Sequence, residues 1–198
     1  MKKYMFALVA LFALLITTQS VSTLSGEAIF KSKRVTVGFN YNHKDGPGSN
    51  QYAVWVEDAR GKLVKTLFVT AYTTKGRSRN GEPLVRGYVK RPACVPTWVE
   101  KSNAKDMSDA ELDGVTGATP ASGHRTYSWD FKDASGNLVA AGKYRICVEA
   151  TLFNKSSIIY YGDFSVPASR GRIQMTYKYT ELDEVHKDMI SDIRAWMD

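Results

Sequence analysis

Seven stretches of this chain alternate in polarity and are rich in β-branched and aromatic residues: 34–42, 51–57, 62–70, 124–131, 144–153, 158–166 and 172–180. A strand points successive side chains to opposite faces, so each run has one face to bury. A lone sheet cannot cover that face, and seven runs broken by turn residues predict an all-β sandwich. Asp45-Gly46-Pro47-Gly48-Ser49 punctuates the first connection, and Gly162, inside a run, marks a bulge.

Two corners are spelled nearly alike. Asp58-Ala59-Arg60-Gly61-Lys62-Leu63-Val64 and Asp133-Ala134-Ser135-Gly136-Asn137-Leu138-Val139 share D-A-x-G-x-L-V. In such a hairpin corner the aspartate bonds the turn backbone, the glycine takes a positive φ and Leu-Val restarts the strand. Reuse of one favourable turn accounts for the repeat without an internal duplication.

The second copy lies within Trp129-Asp130-x-x-Asp133-x-x-Gly136-x-x-Val139-x-x-Gly142-x-Tyr144, which resembles the Ig-like modules of flagellar hook-capping proteins. The resemblance implies an Ig-like β-sandwich with Trp129 and Tyr144 packed inside it. Asp130 and Asp133 then read as turn formers, since a calcium loop needs more oxygen donors at closer spacing.

The N-terminus reads as a cleaved export signal over residues 1–25: Lys2 and Lys3 precede an apolar run from Tyr4 to Ile16, and a small polar stretch follows. The run is shorter than the roughly 20 residues a spanning helix needs, so no stable membrane anchor is expected. The mature chain would work in the periplasm or elsewhere outside the cytoplasm. Without Lys2 and Lys3 its formal charge falls from +7 to +5. Such mild basicity without an aromatic-basic recognition motif argues against nucleic acid as a partner.

Cys94 and Cys147 are the only cysteines. An oxidising compartment favours a Cys94–Cys147 disulfide, closing a loop that the chain-entropy model values at roughly 4 kcal/mol. The alternative is a buried thiol at Cys147 and a free one at Cys94. Neither belongs to a C-x-x-C redox pattern.

Between Thr70 and His124 the alternation lapses into a long loop carrying Lys75, Arg77, Arg79, Arg86, Lys90 and Arg91 against Glu82. Such a loop in a compact domain usually has a function, here an anion site; a solvated basic face is the other reading. Ser108 and Glu111 have capping-box spacing and predict a short helical turn. At the other end Val185, Met189, Ile190, Ile193, Trp196 and Met197 fall on one helical face, predicting a C-terminal α-helix over 182–198 after an Ig-like domain over 26–181.

Asp113-Gly114-Val115-Thr116-Gly117-Ala118-Thr119 resembles the D-x-x-[S/T]-G-A-T pattern on which bacterial flavin transferases attach FMN. The resemblance implies that Thr119 is the acceptor of a phosphoester-linked FMN. Asp113, Thr116, Gly117 and Ala118 would be the motif's determinants, a flavin transferase the modifying partner and a membrane redox protein the electron partner. Pro120 departs from the usual continuation and holds Thr119 extended. Tyr127, Trp98 and Tyr88 are candidate stacking residues. Read from the residues alone, Gly114, Gly117 and Pro120 also make an ordinary surface turn.

Ala53-Val54-Trp55-Val56-Glu57-Asp58 running to Gly61, Val64-Lys65-Thr66-Leu67, residues 113–119, the signature from Trp129 to Tyr144, and Val148-Glu149-Ala150-Thr151 together resemble the predicted periplasmic proteins labelled domain of unknown function 2271. That family implies a compartment and a sandwich, but no activity.

Catalytic signals are weak. His43, His124 and His186 lack zinc spacing, Ser122, His124 and Asp130 are strand neighbours on opposing faces rather than a triad, and G-x-S-x-G is absent. The leading expectation is a non-catalytic FMN carrier in extracytoplasmic electron transfer. The alternative is a cofactor-free Ig-like binding or assembly module.

Overall fold

The computed structural model describes residues 33–45, 49–152, 156–167, 169–181 and 187–198. The expected leader, the centre of the first connection and Val185 and His186 lie outside them. In chain order the described elements are β1 (Val35–Tyr41), β2 (Asn50–Asp58), β3 (Leu63–Thr70), α1 (Ala71–Lys75), α2 (Gly87–Lys90), α3 (Pro96–Ser102), α4 (Asp109–Val115), β4 (Thr116–Gly117), β5 (Gly123–Trp129), β6 (Gly142–Leu152), β7 (Ser156–Val166), β8 (Gly171–Ile173), β9 (Met175–Glu181) and β10 (Ile190–Met197).

The strands form two sheets, β5-β1-β10-β8 and β4-β3-β2-β6-β7-β9. Among the described residues only the short β3–β4 pairing is parallel. The expected two-sheet, mostly-β architecture is present, and each of the seven alternating runs contributes to it. The last run divides at Gln174: β8 joins the smaller sheet and β9 the larger.

Alternation along the central strands serves two cores. Tyr52, Val54 and Val56 of β2 and Ile146, Val148 and Ala150 of β6 meet Val35, Val37, Phe39 and Trp129 of the opposite sheet. The intervening residues Ala53, Trp55 and Cys147 face the other way, against Val95, Trp98, Ala104 and Leu112. Strands buried on both faces lose the half-exposed character that alternation implies.

That second core corrects the expected long loop. Residues 71–115 carry four short helices that lie over the outer face of the larger sheet, making a third layer. The capping box is present: Ser108 accepts from the Glu111 amide, and the Glu111 carboxylate accepts from the Ser108 amide at 2.7 Å.

The expected C-terminal helix is also overturned: residues 190–197 form β10, hydrogen-bonded between β1 and β8 in the smaller sheet. The physical reason is a β-bulge. Gly38 pairs with Arg194 and Asn40 with Ser191, leaving Asp192 and Ile193 opposite Phe39 alone, and Asp192 takes a φ of 51°. One inserted residue turns a period of two into the Ile190, Ile193, Met197 spacing of a helix face. Gly162, by contrast, pairs without a register shift. Its missing side chain admits Ile173 and Met175, whose atoms would stand 2.7 and 2.6 Å from a Cβ.

Both corners are built as their sequence implies. The Asp58 carboxylate accepts from the amides of Arg60 and Lys62, and that of Asp133 from Ser135 and Asn137. Gly61 and Gly136 take φ values of 75° and 85°. Trp129 and Tyr144 pack with ring centres 5.4 Å apart.

Candidate functional site

The 113–119 heptad spans three local structures. Asp113 is exposed in the last turn of α4, Thr116 and Gly117 make β4, and Ala118 and Thr119 follow in irregular backbone. The hydroxyl of Thr116 is within hydrogen-bond distance of the Leu112 carbonyl oxygen and, at 2.8 Å, of the Thr74 hydroxyl, so it closes α4 against α1. Ala118 is exposed and Thr119 half-buried.

Gly117 is required by packing. A Cβ there would lie 2.3 Å from the Phe68 ring, which stacks on Tyr52 at 4.8 Å and approaches Tyr127 at 5.2 Å. The heptad therefore leans on the aromatic end of the inter-sheet core. Burial holds the Tyr41 and Tyr52 hydroxyls well above their ordinary range, and Tyr52 is hydrogen-bonded to Tyr127. Tyr127 is thus already stacked on Phe39 and engaged at its hydroxyl. Trp98 and Tyr88 are buried in the second core.

Beside the heptad, α1, α4 and the 84–86 segment enclose a cleft of about 340 Å³, lined by Thr74, Lys75, Leu84, Arg86, Asp109, Leu112 and Asp113. Lys75 pairs with Asp113 at 2.9 Å, and both side chains are more than half exposed. Arg86 is anchored instead: its guanidinium donates to the carbonyls of Ala104 at 2.6 Å and Met107 at 2.8 Å and to the Tyr88 hydroxyl at 3.0 Å. Of the basic residues between Thr70 and His124, the fold brings these two into the cleft with the motif aspartate.

A second cleft of about 350 Å³ opens at the other end of the strands, between Asp58, Lys143, Tyr144 and Arg145. Arg145 in its wall is doubly bonded to Asp163 at 2.6 and 3.0 Å. It contains no heptad residue.

Two buried carboxylates escaped the sequence reading. Glu149 on β6 accepts from the amides of Thr97 and Trp98 at 3.1 and 3.0 Å, holding the start of α3, and burial pushes its carboxyl up to about 7. Glu57 accepts from the Trp55 indole at 2.8 Å and pairs with Lys101 at 3.2 Å. Both occupy the alternate positions that a half-exposed strand would give to solvent, so the pattern carried no sign of their burial.

Of the two cysteine readings, the structure has the buried thiol at Cys147 and no Cys94–Cys147 bond, with Cys94 buried rather than open in a loop. Cys94 and Cys147 are free, buried thiols. Cys94 packs near Thr73 at 3.6 Å, and the adjacent Val95 amide donates to Thr151. Cys147 lies four residues back along β6, about 13 Å at strand rise, beside Glu57. The two sulfurs thus serve different ends of the second core. Among the described residues no group of three or more His, Cys, Asp or Glu side chains is arranged to hold a metal.

Two packed sheets with a helical layer over one outer face define a mostly-β, sandwich-like protein in which residues 113–119 sit where layer and sheet edge meet. Residues 34–178 match the family described as predicted periplasmic protein, DUF2271, and the chain belongs to that family. Membership places the protein in the periplasm, and among the described residues no helix is long and apolar enough to cross a membrane. No curated protein and no solved structure matches the chain.

Proposed function

We propose that this periplasmic protein carries FMN covalently on Thr119 and works in extracytoplasmic electron transfer. The observation carrying the reading is the heptad itself, with Ala118 and Thr119 outside helix and strand and Asp113 on the wall of a 340 Å³ cleft. Supporting the fit, Ala118 is exposed beside the acceptor, and the cations Lys75 and Arg86, paired with Asp113 and Asp109, line the cleft next to the heptad.

In the attachment step the Thr119 oxygen forms a bond to the FMN phosphorus of FAD, the pyrophosphate P–O bond breaks, AMP leaves and the hydroxyl proton goes to the transferase's base. A separate flavin transferase supplies the catalysis. When bound, FMN supplies two-electron chemistry with a membrane redox protein, while the chain provides position and electrostatics.

Co-expression with a bacterial flavin transferase tests this directly. The expected result is an FMN mass adduct and in-gel fluorescence, both lost in Thr119→Ala. An unmodified chain under conditions that label a control carrier would overturn the proposal.

The second reading is a cofactor-free Ig-like binding or assembly module. The Trp129–Tyr144 packing and the two aspartate-glycine corners support the Ig-like assignment. Edge strand β9, with Tyr177 62% exposed, supports a binding role. A partner retained by Thr119→Ala as well as by the wild type would favour it.

A further inference from the structure

Resting on that assignment of Thr119, we propose that the cleft between α1 and α4 docks the isoalloxazine ring of the tethered flavin, and that Lys75 raises its reduction potential.

Of the heptad, Asp113 lines the cleft, and the topology leaves Thr119 a short length of chain away from it. Strand β4 runs parallel to β3, with Gly117 opposite Thr70, so Ala118 and Thr119 leave the sheet beside α1, which begins directly after Thr70. Thr116 touches Thr74, a residue of the cleft wall, and Thr119 is three residues further on, about 10 Å of extended chain at most. A flexible ribityl-phosphate arm then spans the remaining gap.

The cleft suits a flat, partly apolar ring. Its volume of about 340 Å³ falls within the range of small-molecule sites. Leu112 is buried at its base, while Leu84 stands 65% exposed at its rim, an apolar side chain that a docked ring would cover. The wall bearing Leu84 and Arg86 is fixed by backbone contact with α1. A Cβ at Gly76 would lie 1.6 Å from the Val85 carbonyl oxygen, and one at Gly87 2.0 Å from that of Tyr72. A site held this closely needs little reorganisation on binding.

The two cations differ in freedom. Arg86 has its guanidinium committed to carbonyls and, at 3.5 Å, to Asp109, so it is a fixed and largely compensated charge. Lys75 is held only by an exposed ion pair with Asp113, which costs little to break. Its ammonium can therefore turn from Asp113 to the ring. A cation beside the ring favours the reduced anion, which forms by uptake of two electrons from the membrane redox partner and one proton from solvent. Replacing that cation with a neutral group lowers the potential.

The test uses the full chain, loaded by co-expression with a flavin transferase, and reads the mass adduct, the midpoint potential and the flavin's fluorescence anisotropy. Three substitutions are compared with the wild type: Lys75→Gln, Leu84→Glu and, at the far cleft, Lys143→Gln. All should carry the adduct. Lys75→Gln should shift the equilibrium about tenfold toward oxidised flavin, about 30 mV for a two-electron couple. Leu84→Glu should lower the anisotropy, and Lys143→Gln should change neither. Adducts whose potential and anisotropy are the same in all four proteins would overturn the docking site and leave the Thr119 acceptor standing. Equal potential shifts in Lys75→Gln and Lys143→Gln would overturn the role of Lys75. No adduct on the wild type, with a control carrier labelled, would overturn both proposals.

Discussion

The two cores lie on opposite faces of the same strands, yet they are held by different chemistry. Between the sheets, Val35, Val37, Val54, Val56, Ile146 and Val148 pack with Phe39, Tyr52, Trp129 and Tyr144 in a largely apolar layer. Under the helices, Trp55, Trp98 and Leu112 share the interior with Gln51, Glu57, Glu149, Thr66, Thr70, Thr73 and Thr151. Those polar groups bond the helical segment: Thr151 accepts from Val95, Glu149 from Thr97 and Trp98, and Thr66 from the Trp98 indole. Apolar packing defines the sandwich, whereas directional bonds fix short helices that have little intrinsic stability. The position of the heptad depends on both.

The largest effect should come from emptying the apolar core. Trp129→Ala removes a fully buried ring and its bond to the Lys132 carbonyl at 2.7 Å, and should cost about 3–5 kcal/mol in urea unfolding. A loss below about 1 kcal/mol would break the comparison, because it would mean that the helical layer rather than the inter-sheet core dominates stability.

The polar core should instead declare itself through pH. Glu149 has its folded pKa raised from 4.5 to about 7, chiefly by burial. Between those values the unfolded chain releases the proton while the folded chain keeps it, so stability falls as pH rises. The loss from this group should be on the order of 3 kcal/mol from pH 4.5 to pH 7. Glu149→Gln keeps one acceptor for the α3 amides but cannot ionise, so its unfolding free energy should lack this part of the slope. Identical slopes in the two proteins would show that Glu149 is not the titrating group.

The same contrast explains what could be read from the chain. Alternation revealed all seven strand runs, and aspartate-glycine spacing revealed both corners, because each is a local pattern with a local cause. Apart from α4, which the Ser108–Glu111 capping box revealed, the helical layer was hidden because its helices are four to seven residues long, too short to display a 3.6-residue period. In Val148-Glu149-Ala150-Thr151 the polar residues obey strand alternation whether water or α3 covers them. At β10 the insertion at Asp192 and Ile193 imitated a helix. The heptad was legible as a string of residues, but Lys75 and Arg86 join Asp113 only because α1 and the 84–86 segment fold back over the sheet.

Where the heptad meets the apolar core, Gly117→Ala tests their contact. The new methyl must displace the Phe68 ring from between Tyr52 and Tyr127, which should cost about 1–3 kcal/mol by thermal or urea unfolding. Gly114→Ala, with open space around its Cβ position, is the control within the same motif. Since Gly114 lies in α4, its replacement should stabilise by up to about 1 kcal/mol. Equal effects from both would indicate that the Phe68 contact contributes nothing.

The gentlest probe leaves stability unchanged and reports on the interior of the second core. Burial pushes the Cys94 thiol up to about 11 and raises that of Cys147 further. At pH 8 both are therefore protonated as well as sheltered, and neither should react with a thiol reagent in the folded protein. In denaturant without reductant both should react, because β6 separates the two sulfurs and no bond joins them. Rapid labelling of the folded chain would mean that the helical layer opens far more readily than the sheets, making its hydrogen bonds the weaker of the two means of closure.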